Sequence, residues 1–474
     1  MVTRRRFVLG LGASFLLAAC GGAVSPTAAP SKPTEAPKPA AAEPTKPAGA
    51  ATTPAPAAAA KAGTTPVTIR YMERDGDLGV QMRKFSRVFE ERNPGVTIKN
   101  ESTTFDDLGR KVPVLLASGT VGDVVYQQST QHLAETAPKG SWRDVEDYVK
   151  SDNHDLGLYY SWGVDVCRQG PPNGKLLGLP SAFIINNSHV FYNKTLFQKL
   201  GVKEPSADMS VDDLTAAAVA VRKAQPDTWG ALPSNTFHAM EGYARSWKGF
   251  IVSEDRKKVG IELPETQAAF QYFYDLIQKH KVQPGRTEVQ GGQNQMFYGQ
   301  KVAMAMNATQ NLWTGFNDAV KGKWELGDVG WPVKPSGVLG TTPAVGANVI
   351  WAKSKVADQA WGLLVLQASN EASKWSALNP PNSVPGATIE AWNDAEVWKV
   401  NPPYKTVALQ LNDLKAKGAK MGSIAVPANG RRLEFWDAFD ADFGAMLYGD
   451  KPFDKNGLNA LQQKLQAIMD KAAA

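Results

Sequence analysis

Apolar and polar positions alternate over Val67-Thr68-Ile69-Arg70-Tyr71, and the β-branched residues there predict a strand. Glu73 to Asp77 forms a polar turn. From Gly79 to Arg92 the period changes to helical. Met82, Phe85, Val88 and Phe89 share one face, and Asn93-Pro94-Gly95 stops the run. Val96-Thr97-Ile98 predicts a second strand. Phe105 to Ala117 predicts a helix that turns Leu108, Val112, Leu115 and Leu116 inward. Gly122 to Tyr126 predicts a third strand, which ends in Gln127-Gln128-Ser129. Strands alternating with helices at this spacing imply right-handed crossovers and a mainly parallel sheet. In such sheets ligands bind beyond the carboxyl ends of the strands. Two polar loops stand there: Glu73–Asp77, which contains Asp75, and Gln127-Gln128-Ser129.

The pattern then continues with Gly174-Lys175-Leu176-Leu177-Gly178-Leu179-Pro180, with Ile184 to Asn187, and with Tyr192-Asn193-Lys194-Thr195-Leu196-Phe197-Gln198-Lys199-Leu200-Gly201. Ser210-Val211-Asp212-Asp213-Leu214 opens a helix with a capping-box start. Later come Gly299 to Asn307, Gly330-Trp331-Pro332, and Gly346 to Ser354 followed by Ala357 to Ala368. Taken in order, these segments resemble the extracellular solute-binding proteins of ABC importers, of the carbohydrate type that includes maltose-binding protein. The resemblance covers nearly all of the chain from Pro66 to about Ala472.

That resemblance implies an α/β fold of the two-lobe periplasmic-binding-protein type (type II-like), hinged and closing on a ligand. The expected division assigns 66–184 with 302–346 to lobe one, and 185–301 with 347–474 to lobe two. Sugar hydroxyls pair with Asp, Asn, Gln and Arg, and sugar C–H faces pack on flat rings. The candidate ligand residues on these grounds are Asp75, Gln127, Gln128, Ser129, Asn186, Asn187, Phe237, His238, Trp247, Asn307, Thr309, Gln310, Asn311, Trp313, Trp331, Asn348 and Arg431. Closure around a bridging ligand selects the closed state by differential contact.

The N-terminus adds an address. Thr3-Arg4-Arg5-Arg6-Phe7 heads an apolar run ending in Leu17-Ala18-Ala19-Cys20. Arginines before a short apolar stretch read as a secretion signal, and the ending resembles a bacterial lipobox with Cys20 lipidated. The run is shorter than the roughly 20 residues a membrane span needs. Residues 21–65 are mainly Ala, Pro, Thr and Lys with no aromatic residue, a composition that cannot bury enough apolar surface to order itself. The expected arrangement is signal (1–20), disordered tether (21–65) and a monomeric folded body anchored by lipid outside the cytoplasm. The expected partners are a small solute and the permease subunits of an ABC importer.

Composition narrows the alternatives. The net charge of +6 includes Arg4, Arg5 and Arg6, and only short basic runs such as Arg256-Lys257-Lys258 remain in the body, so nucleic acid is not an expected partner. Cys167 is the one cysteine of the body, so no disulfide is expected there. The five histidines (132, 154, 189, 238 and 280) are scattered, and neither H-E-x-x-H nor C-x-x-C occurs, so no metal and no cofactor are expected. Asp437, Asp440 and Asp442 sit at the spacing of a solvated helix face rather than a catalytic pair. The expected function is therefore capture without bond chemistry. The rival readings are a receptor for a polyol, a glycerol phosphodiester or a peptide-like solute, or a secreted carbohydrate-active hydrolase.

Overall fold

The computed structural model describes residues 66–128, 132–169, 174–186, 188–289, 291–309, 313–332, 340, 342–379, 386–416 and 426–472. The signal, Cys20 and the tether lie outside them. The strands of the two larger sheets are β1 (Val67–Arg74), β2 (Val96–Thr103), β3 (Val124–Gln128), β4 (Gly178–Asn186), β5 (His189–Asn193), β6 (Leu232–Pro233), β7 (Met304–Ala308), β8 (Leu326–Gly330) and β9 (Thr342–Ile350). The helices that position the site are α1 (Gly76–Arg92), α2 (Phe105–Ser118), α3 (Ala134–Thr136), α4 (Phe237–Ser246), α5 (Trp313–Val320), α6 (Ala357–Gln367), α7 (Pro403–Ala416) and α8 (Arg432–Leu447). Among the described residues no helix is long and apolar enough to cross a membrane.

The first units form as the pattern predicts. Met82, Phe85, Val88 and Phe89 of α1 are all buried in one core. The α2 helix starts where the Thr104 hydroxyl accepts from the Asp107 amide, and it stops at Gly119 in the left-handed region (φ +70°). β1 pairs in parallel with β2 from Val67↔Val96 to Arg74↔Thr103, and also with β3.

Two sheets carry the fold. Sheet one has the order β2-β1-β3-β9-β4, and sheet two has the order β8-β5-β7-β6. In sheet one, β9 runs antiparallel to both β3 and β4. The carboxyl ends of β1, β3 and β4 therefore point the same way as the start of β9. In sheet two, His189 at the start of β5 lies opposite Ala308 and Gly330. The carboxyl ends of β7 and β8, and of β6 parallel to β7, therefore gather at the edge where β5 begins. The chain crosses between the sheets from Asn186 to His189, and again from Gly330 to Thr342. Both sheets turn these ends toward each other.

The strand pairing corrects the expected division of the chain. β7 and β8, within the 302–346 segment given to lobe one, pair with β5 in sheet two. β9 joins sheet one instead, and residues of 357–377 and 387–411 pack in the same core as α1 and β1. Val426 to Met469 returns to the core of sheet two. The apolar pattern identified these strands but carried no information on which neighbour each one pairs with. β5 is buried on both faces, with Val190 and Tyr192 in one cluster and Phe191 in another.

Gly178 shows how closely β4 and β9 approach. A Cβ there would lie 2.2 Å from the Asn348 carbonyl oxygen, which is backbone and cannot swing away. Gly178→Ala is expected to destabilise the protein by about 1–3 kcal/mol through overpacking. Gly315→Ala, in α5 with nothing within 4 Å of the added atom, is expected to be neutral or stabilising by up to about 1 kcal/mol. Urea denaturation of both variants checks the contrast.

Candidate functional site

From sheet one, β1 ends at Arg74-Asp75, and the segment after β3 leads to His132 and Glu135. From sheet two come His238, in the first turn of α4, and Arg432 and Trp436, one turn apart on α8. These groups meet. The Arg432 Nε donates to the Glu135 carboxylate at 2.9 Å, and the two side chains are 6% and 15% exposed. That ion pair joins an element that follows β3 to a helix packed on sheet two. The Arg432 guanidinium lies over the Trp436 ring at 4.6 Å. His238 meets the same ring edge-on at 4.2 Å, and Phe237 stacks on it at 5.6 Å. Gly109 of α2 lets this corner close: a Cβ there would come within 2.9 Å of the His132 Nε2 and 3.5 Å of the Arg432 Nη2.

Burial dominates the electrostatics. It holds the Glu135 carboxyl above its ordinary value, and Arg432, followed by Arg256 and Lys139, offsets only part of that rise. Arg256 itself donates to the Val426 and Pro427 carbonyls, which fixes the chain as it returns to lobe two. His132 is lowered to about 3 by burial, with Arg432 and Arg74 adding to the effect. His238 is lowered to about 4 by burial and then by Arg432. Both imidazoles are neutral at pH 7.

The structure sorts the sequence candidates. His238 stands in this cluster. Asp75 caps the start of α1 without a side-chain bond to it, at the same end of sheet one. Thr309 follows β7 and is half-buried. Asn186 ends β4 and Asn307 lies on β7; their side chains, and all of Ser129, Asn187, Gln310 and Asn311, lie outside the described residues.

Other candidates belong to the packing. Gln127 is fully buried; its amide donates to the Tyr126 carbonyl and its oxygen accepts from the Thr136 hydroxyl. Gln128 is buried where β3 pairs with Gly346. Asn348 is buried inside sheet one, and its Oδ1 accepts from the Tyr71 hydroxyl at 2.7 Å. Phe237 is core, edge-on to Phe435 and Phe439, with its amide donating to Asp440. Trp247 closes the far end of α4, about 15 Å along the helix from Phe237, and packs on Tyr272. Trp331 is 1% exposed, packs 4.8 Å from Tyr243, and its amide donates to the Ser188 carbonyl at 2.7 Å. These residues satisfied the polar-or-aromatic criterion, but their side chains turn into the lobes. Arg431 turns toward Glu434 and the Ala472 carbonyl, so Arg432 rather than Arg431 reaches the other lobe. Trp313 begins α5 and lines a depression of about 510 Å³ with Trp324, Lys321 and Glu325. That depression reaches Leu326, at the end of β8 away from the crossings.

Glu135 and Trp436 are not among the sequence candidates, and Arg432 stands beside the candidate Arg431. The i, i+4 spacing of Arg432 and Trp436 was readable, but their partner Glu135 lies 297 residues earlier.

The family model "Bacterial extracellular solute-binding protein" matches residues 75–374, and the chain belongs to that family. A Brucella abortus protein described as a binding protein is 24% identical over 315 residues, covering 65% of this chain and 72% of its own. Among solved structures, the ABC substrate-binding protein of Listeria monocytogenes in complex with cycloalternan aligns with a TM-score of 0.69 at 21% identity, over 85% of this chain and 99% of that one. The sugar-binding protein MalE of Xanthomonas citri aligns with a TM-score of 0.70 at 16% identity, over 85% and 97%. The fold is therefore the two-lobe solute-binding fold, and its relatives are binding proteins.

Burial of neutral histidines sets a pH dependence. His132 and His189 titrate near 6.5 when unfolded and are both lowered to about 3 when folded, chiefly by burial. Their contribution is complete above about pH 6.5 and is lost as pH falls toward 3. Each weighs about 2 kcal/mol against the fold at pH 5. Asp328, raised to about 6 by burial, works in the opposite sense, its contribution being lost as pH rises through 6. The melting temperature is expected to fall between pH 7 and pH 5, and His189→Gln is expected to show a smaller fall, whatever its value at pH 7. Thermal melts at the two pH values check this.

Proposed function

We propose that the protein is a lipid-anchored receptor that captures a sugar in the groove between its two sheets and delivers it to an ABC permease in the same membrane. The supporting observation is the convergence of strand ends from both sheets on a buried polar cluster that spans the lobes: Glu135 and His132 from one side, and Arg432, Trp436 and His238 from the other. A groove lined from both sides buries a small guest on closure and removes water from its hydrogen bonds. The relatives favour a carbohydrate, since the solved neighbours include a cycloalternan complex, an acarbose complex and a maltose complex. The cluster holds guanidinium groups, one carboxylate and neutral imidazoles, which bind and orient without making or breaking a bond. Cys20 supplies the anchor, and residues 21–65 supply the reach from the membrane.

Titrating the protein with a panel of mono- and oligosaccharides is expected to change tryptophan fluorescence saturably and to leave every sugar chemically intact. Released product would place the chain among hydrolases, and a silent panel would remove the carbohydrate reading. The anchor is tested separately. The full chain expressed in a bacterial host is expected to sediment with membranes, and Cys20→Ala is expected to move it to the soluble fraction.

A further inference from the structure

We propose that the ligand of the groove is an anionic sugar, a uronide in the first instance, whose carboxylate seats on the guanidinium of Arg432. This rests on the reading of the groove as a sugar site and narrows it. The argument begins with how Arg432 is held. Its Nε is engaged by Glu135 at 2.9 Å and its plane lies over Trp436 at 4.6 Å, so neither the direction nor the tilt of the guanidinium is free. The two terminal nitrogens have no partner among the described residues, although the side chain is only 6% exposed. A planar, pre-oriented pair of N–H donors matches the two oxygens of a carboxylate. Trp436 is itself occupied, with Phe237 and Arg432 against its ring, so it serves here as the post that fixes the guanidinium.

The nearest charges do not oppose an anion. Arg256 and Lys139 stand with Arg432 about the Glu135 carboxylate, and Arg74 stands near His132. His132 and His238 face the same cations from the two lobes and add no charge at neutral pH. Of the acidic groups near this end of α8, Glu434 is paired with Arg431 and Lys471, Asp437 is exposed, and Asp440 is turned to the Phe237 amide and is exposed. A carboxylate on the two terminal nitrogens would make charge-assisted hydrogen bonds that strengthen as the lobes close and water leaves.

The test compares sugars that differ only in charge. Isothermal titration of the wild-type protein uses digalacturonate, its neutral methyl ester and the neutral oligosaccharide maltotriose, with glucose 6-phosphate as a second source of anionic charge. Digalacturonate is expected to bind at least tenfold more tightly than its ester, and to weaken as salt is raised from 50 to about 300 mM. Preference for glucose 6-phosphate over digalacturonate would assign the anion to a phosphate and overturn the uronide. Equal binding of the ester and the acid, or preference for maltotriose, would overturn the proposal and leave the sugar-receptor reading standing. Failure of every sugar to bind would remove both. Arg432→Gln is expected to abolish the preference for acid over ester. Because that change leaves Glu135 buried alone, the double variant Glu135→Gln/Arg432→Gln is measured beside it, with melting curves to show that both fold. An acid preference surviving in a folded double variant would overturn the assignment to Arg432.

Discussion

The structure depends on where the chain is allowed to cross between its sheets. β4 must finish its ladder with β9 at Asn186↔Thr342 before the chain can leave, and β5 starts its own ladder three residues later. Backbone groups left unpaired in a buried crossing are costly, so the crossing is short and falls where both ladders end. One consequence is geometric. The strands of sheet two that end near His189 thereby finish on the side where the chain arrives from the end of β4. Strand ends of both halves are brought to one seam, without any special sequence to steer them there.

Much of this was legible from periodicity. The three opening strands and two helices appear close to where the apolar pattern puts them, because each buries a face set by residues near in sequence. Membership of the sheets was not legible. Met304 and Met306 are as apolar as Val345 and Val349, and a strand pattern does not say which ladder it joins. The alternation that should separate inward from outward positions was also missing from β5, where both faces are covered.

The candidate site was legible at the level of loops and less so at the level of side chains. Polar and aromatic residues near strand ends were singled out as ligand groups, and His238 is placed in the cluster. Gln127, Asn348, Phe237 and Trp331 show why the criterion overreaches. A buried amide can satisfy its neighbours' backbone, and an aromatic ring near a crossing can be needed to fill the core. Arg431 and Arg432 are adjacent in sequence, yet a helix turns successive residues by about 100°. One of the two therefore meets Glu434 beside it, and the other meets Glu135 in the opposite lobe. The choice between them is made by packing, which requires the far end of the chain.

The amide of Trp331 and the carbonyl of Ser188 stand where two crossings leave sheet two, and their bond ties the two chains together at that root. Chains tied at a root cannot slide past each other there. Any bending between the halves on that side therefore begins beyond the bond.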